Sequence, residues 1–263
     1  MKVSRAEHTA GDTCSIAQVR EQLQAACENE LPAFVARYEE DPRSGVRKCV
    51  ETARKRLAAL EKERERTEKL WAYERKYDSF GCICGIDEAG RGPLAGPVVA
   101  GAVILPRNCD ILYINDSKQL SEKKREELYD VIVEKALAWG IGYASPQRID
   151  EINILQATYE AMREAISKLE PQPDLLLNDA VTIPQVSIQQ VPIIKGDAKS
   201  ISIGAASIIA KVTRDRLMRE YDQVFPGYDF AGNKGYGSAA HIEALKKYGP
   251  TPIHRRSFIH SFI

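Results

Sequence analysis

The sequence predicts an α/β protein: a mixed central sheet flanked by helices, preceded by an N-terminal helical extension. Three observations carry this. The first 80 or so residues show helical patterns throughout. From Gly81 onward, short apolar runs alternate with helical patterns. Those runs are continuous enough in Val, Ile and Ala to be buried on both faces, as in a sheet covered by helices. With 263 residues the chain is long enough for one substantial core plus an appendage.

In the extension, assigned to residues 1–77, a first helix is expected from about Ser15 to Cys27. Ser15 is its cap, and Ile16, Val19, Leu23 and Ala26 recur at helical spacing. A second is expected over Leu31 to Glu40, ended by Asp41-Pro42, and a third over Arg54 to Lys76, where charges alternate in sign without Gly or Pro. This third helix has only a thin apolar stripe, so the extension is expected to have little core of its own and to act as a docking or substrate-reach element. A chain beginning near Tyr77 is accordingly expected to fold. The 16 Lys+Arg and 15 Asp+Glu within residues 1–80 do not support a simple electrostatic clamp on DNA.

In the second region, residues 78–263, candidate strands are 82–89, 97–105, 139–145, 174–181 and 191–196. Helices are expected at Ser121 to Trp139, capped by Ser121 and stopped by Gly140, and at Asp150 to Leu169, before Pro171 and Pro173. A long helix over Ser202 to Val224 and a short one over Ser238 to Tyr248, closed by Gly249-Pro250, complete the series.

Composition narrows the function classes. Charges balance, 37 Lys+Arg against 37 Asp+Glu, so a uniformly basic nucleic-acid binder is excluded and local patches are not. No apolar run approaches the ~20 residues of a spanning helix. The charged N-terminus lacks a secretory apolar segment, so a cytoplasmic protein is expected. Six cysteines without a C-x-x-C pair are expected to be free thiols.

The informative local feature is acids at the ends of apolar strands. Asp87-Glu88 follows 82–86, Asp179 follows Leu175 to Asn178, and Asp197 follows 191–194. A carboxylate at the edge of an apolar core is desolvated and needs a cation or several donors. Taken singly, each has an ordinary explanation. Asp150-Glu151 is a second Asp-Glu pair, and Asp197 suits a helix N-terminus. Together, four carboxylates without a nearby His or Cys form an all-oxygen set, which selects Mg²⁺ or Mn²⁺ over Zn²⁺. The turn Ala89 to Pro97 places glycines around Arg91. Backbone N–H groups there approach a ligand closely while the guanidinium forks a phosphate.

These segments, GIDEAGRGPLAGPVVAGAVILP with DSKQLSEKKREELY, LLLNDA, KGDAKSISIGAASIIAKVTRDRLM and NKGYGSAAHIEALKKYGPTPIHRRSF, resemble ribonuclease HII, the bacterial type 2 ribonuclease H. The matches run in order from Gly81 to about Phe258. The resemblance implies a ribonuclease H-like fold and a metal-dependent endonuclease of ribonucleotide excision in DNA replication and repair. Such an enzyme hydrolyses the RNA strand of RNA–DNA hybrids and cuts 5′ of single ribonucleotides in duplex DNA, leaving 3′-hydroxyl and 5′-phosphate ends. It implies that Asp87, Glu88, Asp179 and Asp197 are catalytic and hold two Mg²⁺ or Mn²⁺ ions. It further implies that Gly90, Arg91 and Gly92 sense the ribose 2′-OH and adjacent phosphate, that Ser117 and Lys118 contact phosphate, and that Tyr236 packs on the junction sugar. Asn178 departs from the apolar or small residue usual before that acid.

The expected form is a monomer with nucleic acid as partner and no membrane association. Two other readings remain at this point: a non-catalytic nucleic-acid-binding module on the same fold, and a type 3 ribonuclease H. Lys195, Lys199, Lys211, Arg214, Arg216 and Arg219 make a basic excess from which some phosphate contacts are expected. His241, His254 and His260 are assigned surface or packing roles, and Asp215 a salt bridge.

Overall fold

The computed structural model describes residues 14–262. The reading of the first thirteen residues as lacking an export signal lies outside them. By internal contacts the chain forms two compact units, dividing after Arg66.

The first unit contains α1 (Ile16–Ala25), α2 (Leu31–Tyr38) and most of α3 (Ser44–Leu70). Ser15 caps α1 reciprocally: its hydroxyl accepts from the Gln18 N–H, and the Gln18 side chain accepts from the Ser15 N–H. At the other end, Arg56 donates to the Leu23 and Ala26 carbonyls, satisfying orphan acceptors of the last turn. The expectation of little core is corrected here. Val19, Leu23, Leu31, Phe34, Tyr38, Val46, Cys49, Val50 and Ala53 are buried together. The long helix begins ten residues before Arg54, and Val46, Cys49, Val50 and Ala53, at three- and four-residue spacing, supply the apolar face that the charge-rich stretch lacks.

The second unit opens with the end of α3 and with α4 (Ala72–Lys76). The central sheet follows as β1 (Ile83–Ala89), β2 (Val98–Ile104), β3 (Ala138–Ala144), β4 (Leu175–Asp179) and β5 (Gln189–Ile193), in the order β3-β2-β1-β4-β5. β1–β2 and β2–β3 are antiparallel, while β1–β4 and β4–β5 are parallel, so the sheet is mixed as expected. Around it lie α5 (Glu122–Lys135), α6 (Pro146–Ser167), α7 (Ile201–Val224), α8 (Phe230–Asn233), α9 (Ala239–Tyr248) and α10 (Arg256–Ile259). Cys84, Ile86, Ala100 and Ala102 pack with Ala157, Ala161 and Met162 of α6. Val99 and Val103 pack with Ala205, Ile208 and Ile209 of α7. The two faces of the sheet therefore have separate cores, as the period of two in a strand requires.

Helix α7 approaches β1 backbone to backbone. A Cβ at Gly85 would stand 2.0 Å from the Ser202 carbonyl carbon, so only glycine fits. The edge strand β3 is protected on its open side: the Tyr143 N–H donates to Glu164, and the Ile141 carbonyl accepts from Lys168. Two expected boundaries move. α5 ends at Lys135 rather than Trp139, because Ala138 and Trp139 pair with Ile104 and Val103 in the sheet. α6 starts at Pro146 behind the cap Ser145 and kinks at Asn153 (φ 68°), whose side chain accepts from the Leu155 and Gln156 N–H groups. The six cysteines are free thiols. Among the described residues no helix is long and apolar enough to cross a membrane.

Residues 67–77 belong to the second core. Leu70 and Trp71 are buried with Val99, Ile201 and Ala205, and the Glu74 carboxylate accepts from the Ser200 hydroxyl (2.6 Å) and the Ser202 N–H (3.1 Å) at the start of α7. A chain beginning at Thr67 should therefore keep the stability of the second unit. One beginning at Tyr77 should lose about 3–5 kcal/mol, the usual cost of removing a buried tryptophan. Urea denaturation of the two compares them directly, and equal midpoints would show that 67–76 add nothing to this core.

Candidate active site

The acids reach one place because β1 and β4 run parallel and end together. Ile86 pairs with Asn178, so Asp87 and Asp179 are the next residues of neighbouring strands. Asp87 is buried on the side of the sheet facing Ser207 of α7, while Glu88 is partly exposed. Asp197 arrives from the other direction, in a single 3₁₀ turn between β5 and α7 (Gly196–Ala198). That turn is fastened to the strand end by the Gly196 N–H, which donates to Asp179 Oδ1 at 2.7 Å. The contrasting pair is absorbed structurally: Asp150 accepts from the Arg256 and Ser257 N–H groups and caps α10.

These side chains line a cleft of about 500 Å³. All ten residues singled out from the sequence border it: Asp87, Glu88, Asp179, Asp197, Gly90, Arg91, Gly92, Ser117, Lys118 and Tyr236. The electrostatics are those of crowded, desolvated carboxylates. Burial pushes Asp87 well above the usual carboxyl range, and repulsion from Glu88 and Asp179 adds to it. Glu88 is raised by burial and by Asp179, with Arg91 opposing. Asp197 is raised by burial and by two further acids, Asp116 and Asp179. The carboxylates converge without closing into a cage: among the described residues, no three His, Cys, Asp or Glu side chains stand close enough to hold an ion as they are.

The glycine-rich turn is held by two arginines that sequence reasoning did not single out as a pair. Arg255 is fully buried, and its guanidinium donates to the carbonyls of Gly90 (2.5 Å), Arg91 (2.8 Å) and Gly96. Arg214, also buried, donates to the carbonyls of Pro97, Ala95 and Lys234, and so joins this turn to the segment that carries Tyr236. Gly90 sits at φ 94°, where a Cβ would meet the Arg214 guanidinium at 2.0 Å. The signal available in the sequence was the arginine beside Asp215 and the double arginine after His254. Neither pattern points to backbone carbonyls as partners.

Of the six residues in the basic excess around α7, three are taken up in internal pairs, and Lys211 and Arg214 border the cleft. Arg216 and Arg219 pair with Glu126, and Lys211 with Asp215 at 2.8 Å. Asp215 is a salt-bridge partner, as expected. Arg91 remains 44% exposed and 3.5 Å from Glu88, and Lys118 is exposed at the cleft. Ser117 Oγ lies 2.9 Å from Ser207 Oγ, while Arg125 donates to the Ser117 carbonyl. The Tyr236 ring is half-exposed beside Gly92. His241 and His254 are buried in packing positions, and Asn178 is accommodated by donating to the Val181 carbonyl and to Gln190.

A five-stranded mixed sheet whose strand ends present acids to an open cleft defines a ribonuclease H-like protein. Comparison with known proteins narrows the class. The sequence model described as Ribonuclease HII matches residues 84–261, and that described as Ribonuclease HII N-terminal domain matches residues 15–78. Ribonuclease HII of Lachnoclostridium phytofermentans is 65% identical over 244 residues, covering 93% of this chain and 96% of that protein. Ribonuclease HII of Caldanaerobacter subterraneus subsp. tengcongensis is 55% identical over 208 residues, covering 78% and 86%. The crystal structure of ribonuclease H2 from Pyrococcus horikoshii superposes with a TM-score of 0.56 at 31% identity, covering 67% of this chain and 93% of that one. The chain belongs to the ribonuclease HII family. It is an endoribonuclease of ribonuclease H type 2 that processes RNA–DNA hybrids, which sets aside the binding-module and type 3 readings.

The acid cluster generates a stability prediction. Because the folded pKa of Asp87 lies above its unfolded value near 4, the native state holds that proton more tightly, and ionisation on raising the pH costs stability. In chelator at pH 7–8, Asp87→Asn should be more stable than the parent by on the order of 1–3 kcal/mol. The gain should shrink to nothing as the pH falls through about 4, where both states are protonated. A lower thermal midpoint for the variant at pH 8 would contradict this electrostatic description.

Proposed function

We propose that the cleft hydrolyses the RNA strand of RNA–DNA hybrids and cuts 5′ of single ribonucleotides in duplex DNA, leaving 3′-hydroxyl and 5′-phosphate ends. The observation that carries this reading is the convergence of four carboxylates, a glycine–arginine turn and a half-exposed tyrosine on one cleft. Asp87, Glu88, Asp179 and Asp197 would hold a pair of Mg²⁺ or Mn²⁺ ions. The donor set fits: it is all oxygen, and burial together with mutual repulsion leaves an excess of negative charge that a hard divalent cation relieves. When bound, such ions supply a nucleophile at neutral pH and stabilise the charge that develops on the leaving oxygen.

The remaining work belongs to this chain's own groups. Gly90 and Gly92 let the turn lie close to the sugar-phosphate backbone, and the Arg91 guanidinium, exposed at the cleft, engages a phosphate. Lys118 and Ser117 add phosphate contacts. Tyr236 offers a flat face to the sugar at the RNA-to-DNA junction. The 2′-OH distinguishes the two sugars, and a site built to pair a hydroxyl loses binding when it is absent. All ten residues come from one chain, so the reading needs no second copy, and we take the enzyme to act as a monomer in the cytoplasm, where its duplex substrates are.

Cleavage of a duplex carrying one ribonucleotide, with Mg²⁺ and Mn²⁺ compared, tests this. A single cut on the 5′ side is expected with at least one metal, and absence of cutting with both rejects the reading. Asp87→Asn should reduce turnover to background at saturating metal. Arg91→Ala should weaken substrate binding and lower the slope of log affinity against log salt by about one, with stability changed by less than about 0.5 kcal/mol. A large stability loss would make Arg91 a structural tie instead.

A further inference from the structure

Two buried histidines behind the tyrosine are linked in a way that fixes their protons. His254 Nδ1 lies 2.9 Å from the Thr251 backbone N–H, which can only donate, and 2.8 Å from the Thr251 hydroxyl. His254 Nδ1 is therefore an acceptor, and the ring carries its proton on Nε2. That Nε2 lies 3.0 Å from His241 Nε2. Two N–H groups cannot face each other at that distance, so His241 Nε2 accepts and its proton sits on Nδ1. His241 Nδ1 in turn lies 2.8 Å from the Tyr236 carbonyl, which can only accept. The two ends of the chain, a backbone donor and a backbone acceptor, independently demand the same assignment, with both rings neutral.

The surroundings preserve that state. Both rings are buried, at 0% and 2% exposure, and they pack against Phe230 and Tyr228. Burial holds both below the usual histidine range, His254 at about 4. The Tyr236 carbonyl also accepts from the Ser238 N–H, and the Tyr236 N–H donates to the Asn233 carbonyl. The peptide groups on either side of Tyr236 are thus locked while its ring projects into the cleft.

We infer that His241 and His254 form a neutral, one-directional hydrogen-bond relay, running from Thr251 to the Tyr236 carbonyl, that positions Tyr236 against the substrate sugar. They are positioning residues for ribonucleotide recognition, and the assignment rests on the reading of Tyr236 as the sugar contact. The relay differs from ordinary core packing because an asparagine at 241 places an amide N–H near the position of Nδ1, whereas a leucine fills the space without a donor.

The test uses the full chain on a duplex with one ribonucleotide. His241→Leu should raise KM about tenfold with kcat little changed, the scale of one lost hydrogen bond. His241→Asn should restore most of the loss. In a Tyr236→Ala background, His241→Leu should have no further effect on KM. If Tyr236→Ala leaves KM unchanged, the sugar-contact reading falls and this inference with it. If Tyr236→Ala raises KM but His241→Leu does not, or the two add in full, the inference alone falls. Should His241→Leu fail to fold, ¹⁵N NMR of the parent protein decides by itself. Nε2–H on His254 with Nδ1–H on His241 at neutral pH supports the relay, and the opposite tautomers or a charged ring overturn it.

Discussion

The backbone contact between α7 and β1 is the constraint on which the rest of the site depends. Because Gly85 carries no side chain, α7 lies against the strand that bears Asp87 and Glu88, and its register along that strand is fixed. From that register each turn of the helix acquires a task. Its N-terminus carries the turn with Asp197, its second turn sets Ser207 against Ser117 and Asp87, and its later turns place Lys211 and Arg214 at the cleft. Shifting α7 by one residue would move all four together. The buried first half of the helix, from Ile201 to Ala210, is accordingly made of small and β-branched residues that suit close packing.

Much of this was legible in the sequence, and the reasons are specific. Strands and helices announced themselves because both faces of the sheet are covered, so apolar runs were continuous and the caps Ser15 and Ser121 were in place. The four acids were legible because each terminates an apolar run. What stayed hidden depends on partners distant in sequence. The core of the first unit lay upstream of the stretch that looked most helical, since a charge-rich surface is easier to see than four apolar residues in the first three turns of α3. The roles of Arg214 and Arg255 stayed hidden because their acceptors are backbone carbonyls at positions 90–97 and 234, which no side-chain pattern reveals. The histidine relay was read as packing for the same reason.

Charge is partitioned across the cleft, and the partition explains why, among the described residues, the buried arginines carry no acidic partner in hydrogen-bond contact. A carboxylate tied to Arg214 or Arg255 would be held near its ordinary acidity, and the acids could not keep the desolvated, mutually repelling state that suits a hard cation. Instead each guanidinium donates to backbone carbonyls, through three bonds from Arg214 and four from Arg255, which engage most of its donors without supplying countercharge. The cost of burying those cations is offset by the hydrogen bonds they make to a turn that has few of its own. The acids and the buried arginines thereby remain separate systems, one lining the cleft and one holding the shape of its turn.

That separation leaves exposed positive charge at the cleft. Arg91 and Lys118 are exposed, and both act electrostatically on Glu88. On the proposed reading, a phosphate entering the cleft would compete with Glu88 for Arg91, and a released Glu88 would be free to turn toward a cation among the acids. Substrate binding and completion of the acidic site would then be linked through one weak ion pair, 3.5 Å long and partly solvated, which costs little to break. A tight bidentate pair at the same place would have opposed both events.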